Sequence, residues 1–133
     1  MPLPSQTVDY KDLKGRVVIV TGSGQALGKS YVEHLAGQGA IPIVAEIQAD
    51  KGAAVAKELE EAGAQTLFCH TDVGDEQSVS DMAAAVLKKF GRIDGLVNNA
   101  AMFRNLSHGK FWDLDMAEWN RTLQVNVTGP LLC

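Results

Sequence analysis

The stretch Arg16 to Gly28, RVVIVTGSGQALG, limits what this chain can fold into more than any other. Val17 to Val20 are apolar and β-branched toward both faces, the pattern of a strand buried inside a parallel sheet. They run straight into a glycine-rich turn and a helical pattern. Such a junction aims the free N–H groups of the first helical turn, and the positive end of the helix dipole, at one point. That is a cradle for phosphate.

The rest of the chain repeats the same theme. Met1 to Lys14 reads as an exposed lead-in punctuated by Gly15, so the boundary falls between a lead-in of residues 1–15 and one domain of residues 16–133. After the cradle, Leu27, Tyr31, Leu35 and Ala36 recur at helical spacing, and Gly37 and Gly39 end that helix. Ile41 to Ala45 is the second strand, with Pro42 at its start, where a ladder N–H can be spared. Asp50 is placed to cap a helix turning Ala54, Val55, Leu59 and Ala62 inward and stopping at Gly63.

Thr66 to Cys69 is a short third strand, and Asp75 caps a helix whose inward stripe is Val79, Met82, Ala83, Val86, Leu87 and Phe90. Gly91 closes it. Ile93 to Asn98 is the fourth strand, and a polar loop then leads to Asp115, spaced from Glu118 as in a capping box. Trp119, Leu123 and Val127 continue as a helix that Gly129 and Pro130 should bend or end. Strands alternating with helices call for an α/β, doubly wound parallel sheet of Rossmann type with three αβα layers, incomplete on its C-terminal side. In such a sheet ligands bind outside the carboxyl ends of the strands. The cradle, Glu46, Asp72 and Asn98-Asn99-Ala100-Ala101 all fall at those ends.

Composition narrows the partners. A net charge of -4 argues against nucleic acid, and no apolar run approaches the roughly 18 residues of a membrane span. The N-terminus has neither a secretory apolar core nor an Arg-rich transit character, so a cytoplasmic setting is expected. Only Cys69 and Cys133 are present and His34, His70 and His108 are scattered singly, so neither a disulfide nor a metal site is expected.

The glycines miss the simple GxGxxG fingerprint, because Leu27 stands where its third glycine would fall. Thr21-Gly22-Ser23-Gly24-Gln25-Ala26-Leu27-Gly28 instead resembles the TGxxxGxG segment of the short-chain dehydrogenases/reductases. Asn98-Asn99-Ala100-Ala101 is similar to that family's NNAG, and Leu123 to Gly129 to its helix with a catalytic asparagine. Together these motifs span nearly the whole chain. The resemblance implies an NAD(H)-dependent oxidoreductase interconverting a secondary alcohol and a ketone, with these residues as its cofactor-binding half.

Residue by residue, the resemblance assigns the dinucleotide to Gly22, Ser23, Gly24, Gln25, Ala26, Leu27 and Gly28, to Asp72 and Val73 at the adenine, and to Asn99, Ala100 and Ala101. Asn98 is read as structural. Glu46 lies at the distance from the cradle where an acidic residue accepts from the ribose hydroxyls and repels a 2'-phosphate. Neither Ile47 beside it nor Gln25 is basic, so NAD is expected over NADP. Ala26 and Ala101 stand where the family has glycine, which predicts shifted geometry or weaker binding.

Asn126 is the member of the family's catalytic set found here, implied to shape a helix kink and hold a water in a proton relay. The serine, and the tyrosine and lysine of Tyr-x-x-x-Lys, belong on a fifth strand and its helix, so the 133 residues are not expected to be active alone. Tyr10 and Lys14 match Tyr-x-x-x-Lys by chance, at the amino end of the first strand, and Ser107-His108 lacks an acidic orienter. The family further implies a small-molecule substrate and a homo-oligomer, a tetramer or dimer. A catalytically inactive dinucleotide-binding or interaction module ending at Cys133 is the alternative. Strand four should be an exposed apolar edge.

Overall fold

The apolar runs each become a strand of one parallel sheet. A computed structural model describes residues 10–103 and 109–133, and within them β1 (Val17–Thr21), β2 (Ile41–Glu46), β3 (Leu67–His70) and β4 (Gly95–Val97) lie in the order β3-β2-β1-β4. All three pairings are parallel, with Val17 opposite Ile41, Ile43 opposite Leu67 and Val18 opposite Gly95. The connections are α1 (Ala26–Gly37), α2 (Ala49–Glu61) and α3 (Glu76–Phe90).

Alternation along the strands divides the core between two faces. Val17, Ile19, Ile43, Ala45 and Cys69 pack with Val79, Met82 and Val86 of α3. Val20 and Val44 pack with Val32 and Ala36 of α1 and Val55, Ala56 and Leu59 of α2. Helices therefore cover both faces, as the alternation predicts. All of β1 is buried, and Pro42 sits opposite Val18, one step before β3 begins its pairing at Leu67. Thr66 Oγ1 donates to the Pro42 carbonyl at 2.7 Å, so the position without an N–H still has its acceptor satisfied.

The helix faces differ from the sequence reading in detail. In α1, Leu27 and Tyr31 are exposed, and Gly28, Val32 and Ala36 form the buried stripe instead. The helix approaches the sheet through Gly28, which rotates the contact stripe by one residue. In α2, Val55 and Leu59 are buried as expected, but Ala54 is exposed and Gly52 and Ala56 take the inner face. Asp50 is not its cap. The helix starts at Ala49 after Gln48, and Asp50 lies in the first turn, where its charge suits the dipole. In α3, Leu87 is exposed while Val79, Met82 and Val86 are buried, Asp75 Oδ1 caps Gln77 N–H at 3.0 Å, and Gly91 closes the helix at φ +72°.

β3 begins one residue later than expected, because Thr66 is spent on Pro42 and on Lys89, whose Nζ donates to its carbonyl. β4 is shorter than Ile93–Asn98 because Asp94 is used as an anchor. Its carboxylate accepts from Val17 N–H at 2.8 Å and pairs with Arg92 and Arg16, while its own N–H donates to the Val17 carbonyl at 2.8 Å. The Arg92 guanidinium, helped by the Val17 N–H, holds the Asp94 carboxyl well below the usual carboxylate range. Among the described strands β4 lies at the sheet edge with Leu96 38% exposed, as the sequence predicts.

After β4 the chain returns as α4 (Met116–Leu123), capped by Asp115 Oδ1 on Ala117 N–H at 2.8 Å. Gly129 and Pro130 do not end it. A π turn over Gln124–Thr128, marked by Gly129 N–H donating to the Gln124 carbonyl, absorbs the irregularity, and Pro130 sits in the first turn of α5 (Gly129–Leu132). Lead-in residues Lys11–Leu13 form a 3₁₀ turn, and Tyr10 N–H donates to Gln38 Oε1 at 2.7 Å. Tyr10 and Lys14 stand beside the amino end of β1, away from the cradle. Ser107 and His108 lie outside the described residues. No helix among the described residues is long and apolar enough to cross a membrane.

Candidate functional site

At the carboxyl edge the strands open onto a cleft of about 680 Å³. Its floor is the turn between β1 and α1. Gly28 is required there, since a Cβ would collide with the Gly22 carbonyl oxygen and come within 2.7 Å of Asn99 Nδ2. Gly24 is required for a different reason, because a Cβ would meet Glu46 Oε2 at 2.9 Å. Ser23 is fully buried, its hydroxyl donating to the Val20 carbonyl at 2.8 Å, so it shapes the turn from beneath. The first intrahelical bond of α1 runs from Lys29 N–H to the Gln25 carbonyl. Ala26, Leu27 and Gly28 therefore head the helix with N–H groups that have no acceptor inside it, and all three line the cleft.

Ala26 has φ +49°, in the left-handed region. An L-residue there is strained by about 1–2 kcal/mol, which is the physical content of a glycine at this point in the motif. The substitution thus changes more than the addition of a methyl group.

Glu46 ends β2 and is 5% exposed. Its Oε2 accepts from Gly24 N–H at 2.9 Å and its Oε1 from Gln48 N–H at 3.0 Å, so the carboxylate props up the cradle as it lines the cleft. Ile47 beside it is half exposed. Sequence reading missed Lys51, which reaches from the first turn of α2 to Gln25 Oε1 at 2.7 Å on the cleft rim. Its place in the first turn of α2 could be read along the chain, since α2 starts three residues after Glu46, but its reach to Gln25 could not.

The wall beyond β3 is Asp72 and Val73. Asp72 Oδ1 accepts from Gly74 N–H at 2.8 Å, a turn-forming bond, and Oδ2 accepts from Arg121 Nη2 at 2.7 Å. Gln124 Nε2 donates to the Gly74 carbonyl at 2.9 Å. Arg121 and Gln124 were also not anticipated, and no local pattern marks them. They matter because a segment about 50 residues away folds back onto the loop.

The opposite wall is Asn99, Ala100 and Ala101 after β4. Thr21 Oγ1 accepts from both Asn99 N–H and Ala100 N–H at 3.1 Å, and Asn99 Nδ2 donates to the Thr21 and Gly22 carbonyls at 2.9 and 3.0 Å. This loop is thus sewn to the cradle. Asn98 turns away and donates to the Pro130 carbonyl at 3.4 Å, in keeping with a structural role. Asn126, in the π turn, closes the arrangement: its Oδ1 accepts from Met102 N–H at 2.7 Å and its Nδ2 donates to the Met102 carbonyl at 3.0 Å.

Residues 16–133 match the family model described as short chain dehydrogenase. An uncharacterized oxidoreductase of Thermotoga maritima is 37% identical over 121 residues, covering 91% of this chain and 46% of its own length. The 7alpha-hydroxysteroid dehydrogenase of Escherichia coli K12 is 35% identical over 119 residues, covering 90% of this chain and 45% of that protein. The chain thus spans about half the length of these curated relatives. Among solved structures, a short chain dehydrogenase/reductase from Burkholderia phymatum in complex with NAD superposes with a TM-score of 0.85 at 29% identity, over 90% of this chain and 42% of that one. A 7alpha-hydroxysteroid dehydrogenase complexed with NADH and 7-oxo glycochenodeoxycholic acid gives 0.82 at 31%, over 95% and 49%. With a glycine-rich turn heading α1, an acidic residue closing β2 and an asparagine-bearing π turn arranged around one cleft, the chain belongs to the short-chain dehydrogenase/reductase family.

Proposed function

We propose that residues 16–133 are the cofactor-binding half of an NAD(H)-dependent oxidoreductase that interconverts a secondary alcohol and a ketone. The observation that carries this reading is the cleft itself, in which helix-start N–H groups, a buried Glu46 and the Asn99 to Ala101 loop converge at the carboxyl ends of β1, β2 and β4. The N–H groups of Ala26 to Gly28 hold the pyrophosphate, Glu46 faces the adenosine ribose, Asp72 and Val73 flank the adenine, and Asn99 to Ala101 border the half that carries the nicotinamide. The nicotinamide, when bound, supplies the hydride acceptor or donor. Asn126 orients the loop at Met102 and serves the proton relay, with the family's serine, tyrosine and lysine supplied from outside residues 16–133.

NAD is favoured over NADP because Glu46 brings negative charge to the ribose end. Its two main-chain hydrogen bonds, from Gly24 N–H and Gln48 N–H, fix the carboxylate in place at that end of the cleft. Lys51 works against this preference, and Gln25 holds its Nζ. The neighbours that carry NAD and NADH support the same choice. The enzyme acts in the cytoplasm as a homo-oligomer, and the exposed stripe Trp119, Leu123 and Val127 supports an assembly surface on α4 and the π turn. Titration calorimetry with NAD+ and NADP+ tests the reading. NAD+ binds more tightly to the wild type, and Glu46→Ala narrows the ratio by about tenfold, the equivalent of roughly 1.4 kcal/mol of lost discrimination. An unchanged ratio overturns the assignment of Glu46.

A further inference from the structure

The peptide group that joins Ile47 to Gln48 is held at both of its polar ends. Its carbonyl oxygen lies 2.9 Å from His70 Nε2, and its N–H donates to Glu46 Oε1 at 3.0 Å. A carbonyl oxygen only accepts, so Nε2 carries the hydrogen of that bond in the neutral ring as in the charged one. A trans peptide is planar and aims its C=O and its N–H in opposite directions, so a donor that fixes the oxygen also aims the N–H. Here it aims at a carboxylate.

Sheet register puts the imidazole where it can do this. His70 ends β3 directly opposite Glu46 at the end of β2, and Thr71 N–H donates to the Glu46 carbonyl at 3.0 Å, so the two strand ends stay in step. A Cβ on Gly52 would collide with the Phe68 ring and stand 3.0 Å from Glu46 Cβ, so the first turn of α2 is pressed against both strands. Ile47 and Gln48, in the short turn between, line the cleft. His70 stands outside it, exposed to solvent.

Glu46 has one main-chain donor on each oxygen, Gly24 N–H on Oε2 and Gln48 N–H on Oε1. The first belongs to the cradle, and the second is only as fixed as the Ile47–Gln48 peptide. We infer that His70 is a positioning residue for cofactor selection: from outside the cleft it sets this peptide, and through it the orientation of the carboxylate that tells a ribose hydroxyl from a ribose 2'-phosphate. The role rests on the reading in which Glu46 faces the adenosine ribose. Hydrogen bonds in series polarise one another, so donation by His70 to the carbonyl also strengthens the N–H bond to Glu46. Without the tether the peptide is free to rotate, and its N–H leaves Oε1.

The test is titration calorimetry of the 133-residue chain with NAD+ and NADP+, for wild type, His70→Leu, Glu46→Ala and the double variant. His70→Leu narrows the ratio of the two dissociation constants about threefold, the worth of one hydrogen bond, and in the Glu46→Ala background it leaves the ratio where Glu46→Ala alone puts it. His70→Gln, whose amide can donate to the same carbonyl, restores the wild-type ratio. Equal weakening of both dinucleotides by His70→Leu, the same change in ratio with and without Glu46, or no rescue by His70→Gln assigns His70 a merely structural role and overturns the inference. So does a neutral His70 ring protonated at Nδ1 in the imidazole nitrogen NMR spectrum of the wild type, a measurement that needs no variant to fold. If Glu46→Ala itself leaves the ratio unchanged, or neither dinucleotide binds, the reading of Glu46 fails first and this inference falls with it.

Discussion

The two ends of the sheet are built from different interactions. At the amino end one carboxylate, Asp94, gathers Arg16, Arg92 and the Val17 N–H, and so joins β4 to β1 with side-chain charge. At the carboxyl end Glu46 and Thr21 spend their oxygens on main-chain N–H groups of Gly24, Gln48, Asn99 and Ala100. The amino end holds strands together. The carboxyl end holds loops open, with a left-handed Ala26 and helix N–H groups facing a cleft, an arrangement that gives up local stability for a place to bind.

The strongest way to break this contrast is at Gly28. Gly28→Val drives a side chain into the Gly22 carbonyl, and dinucleotide binding by calorimetry is lost together with about 1–3 kcal/mol of stability in urea unfolding. Thr21→Val is next. It leaves the Asn99 and Ala100 N–H groups without their acceptor, lowers stability by about 2 kcal/mol, and weakens binding because the loop at Ala100 comes loose from the cradle. Retained affinity in this variant would show that the two loops act independently.

Asp94→Asn attacks the other end and separates the two by pH. Because the folded carboxyl is held below its unfolded value of about 4, its contribution is fully present above that pH and is lost as pH falls toward the depressed folded value. The stability gap between wild type and Asp94→Asn is therefore widest near neutrality and closes below about pH 4, with dinucleotide affinity at pH 7 unchanged. A gap independent of pH contradicts this. The smallest effect is a gain. Ala26→Gly relieves the left-handed strain, offset in part by the greater freedom of glycine when unfolded, for a net gain of up to about 1 kcal/mol and tighter binding.

Much of this was legible in the residues. The order of strands and helices follows from apolar runs and glycine stops, and Asp75 and Asp115 cap the helices they precede. Helix faces were less legible. In α1 the stripe depends on Gly28 touching the cradle, so residues with no side chain to signal burial decide which way Leu27 and Tyr31 point. Of the two outcomes expected at Gly129 and Pro130, a bend or an end, the end does not occur, because a π turn upstream lets the helix carry Pro130 in a first turn.

The sequence by itself determined the α/β alternation, the position of the cradle and the family, because these depend on periodicity, turn chemistry and spacing along a few residues. Only the tertiary structure decided that Lys51 stands on the cleft rim, that Arg121 meets Asp72, that Glu46 braces the turn, and that Asn126 clamps Met102. Each of those contacts joins segments 22 to 49 residues apart, between side chains and loops whose approach is set by how helices settle on the sheet, and no local pattern records that approach.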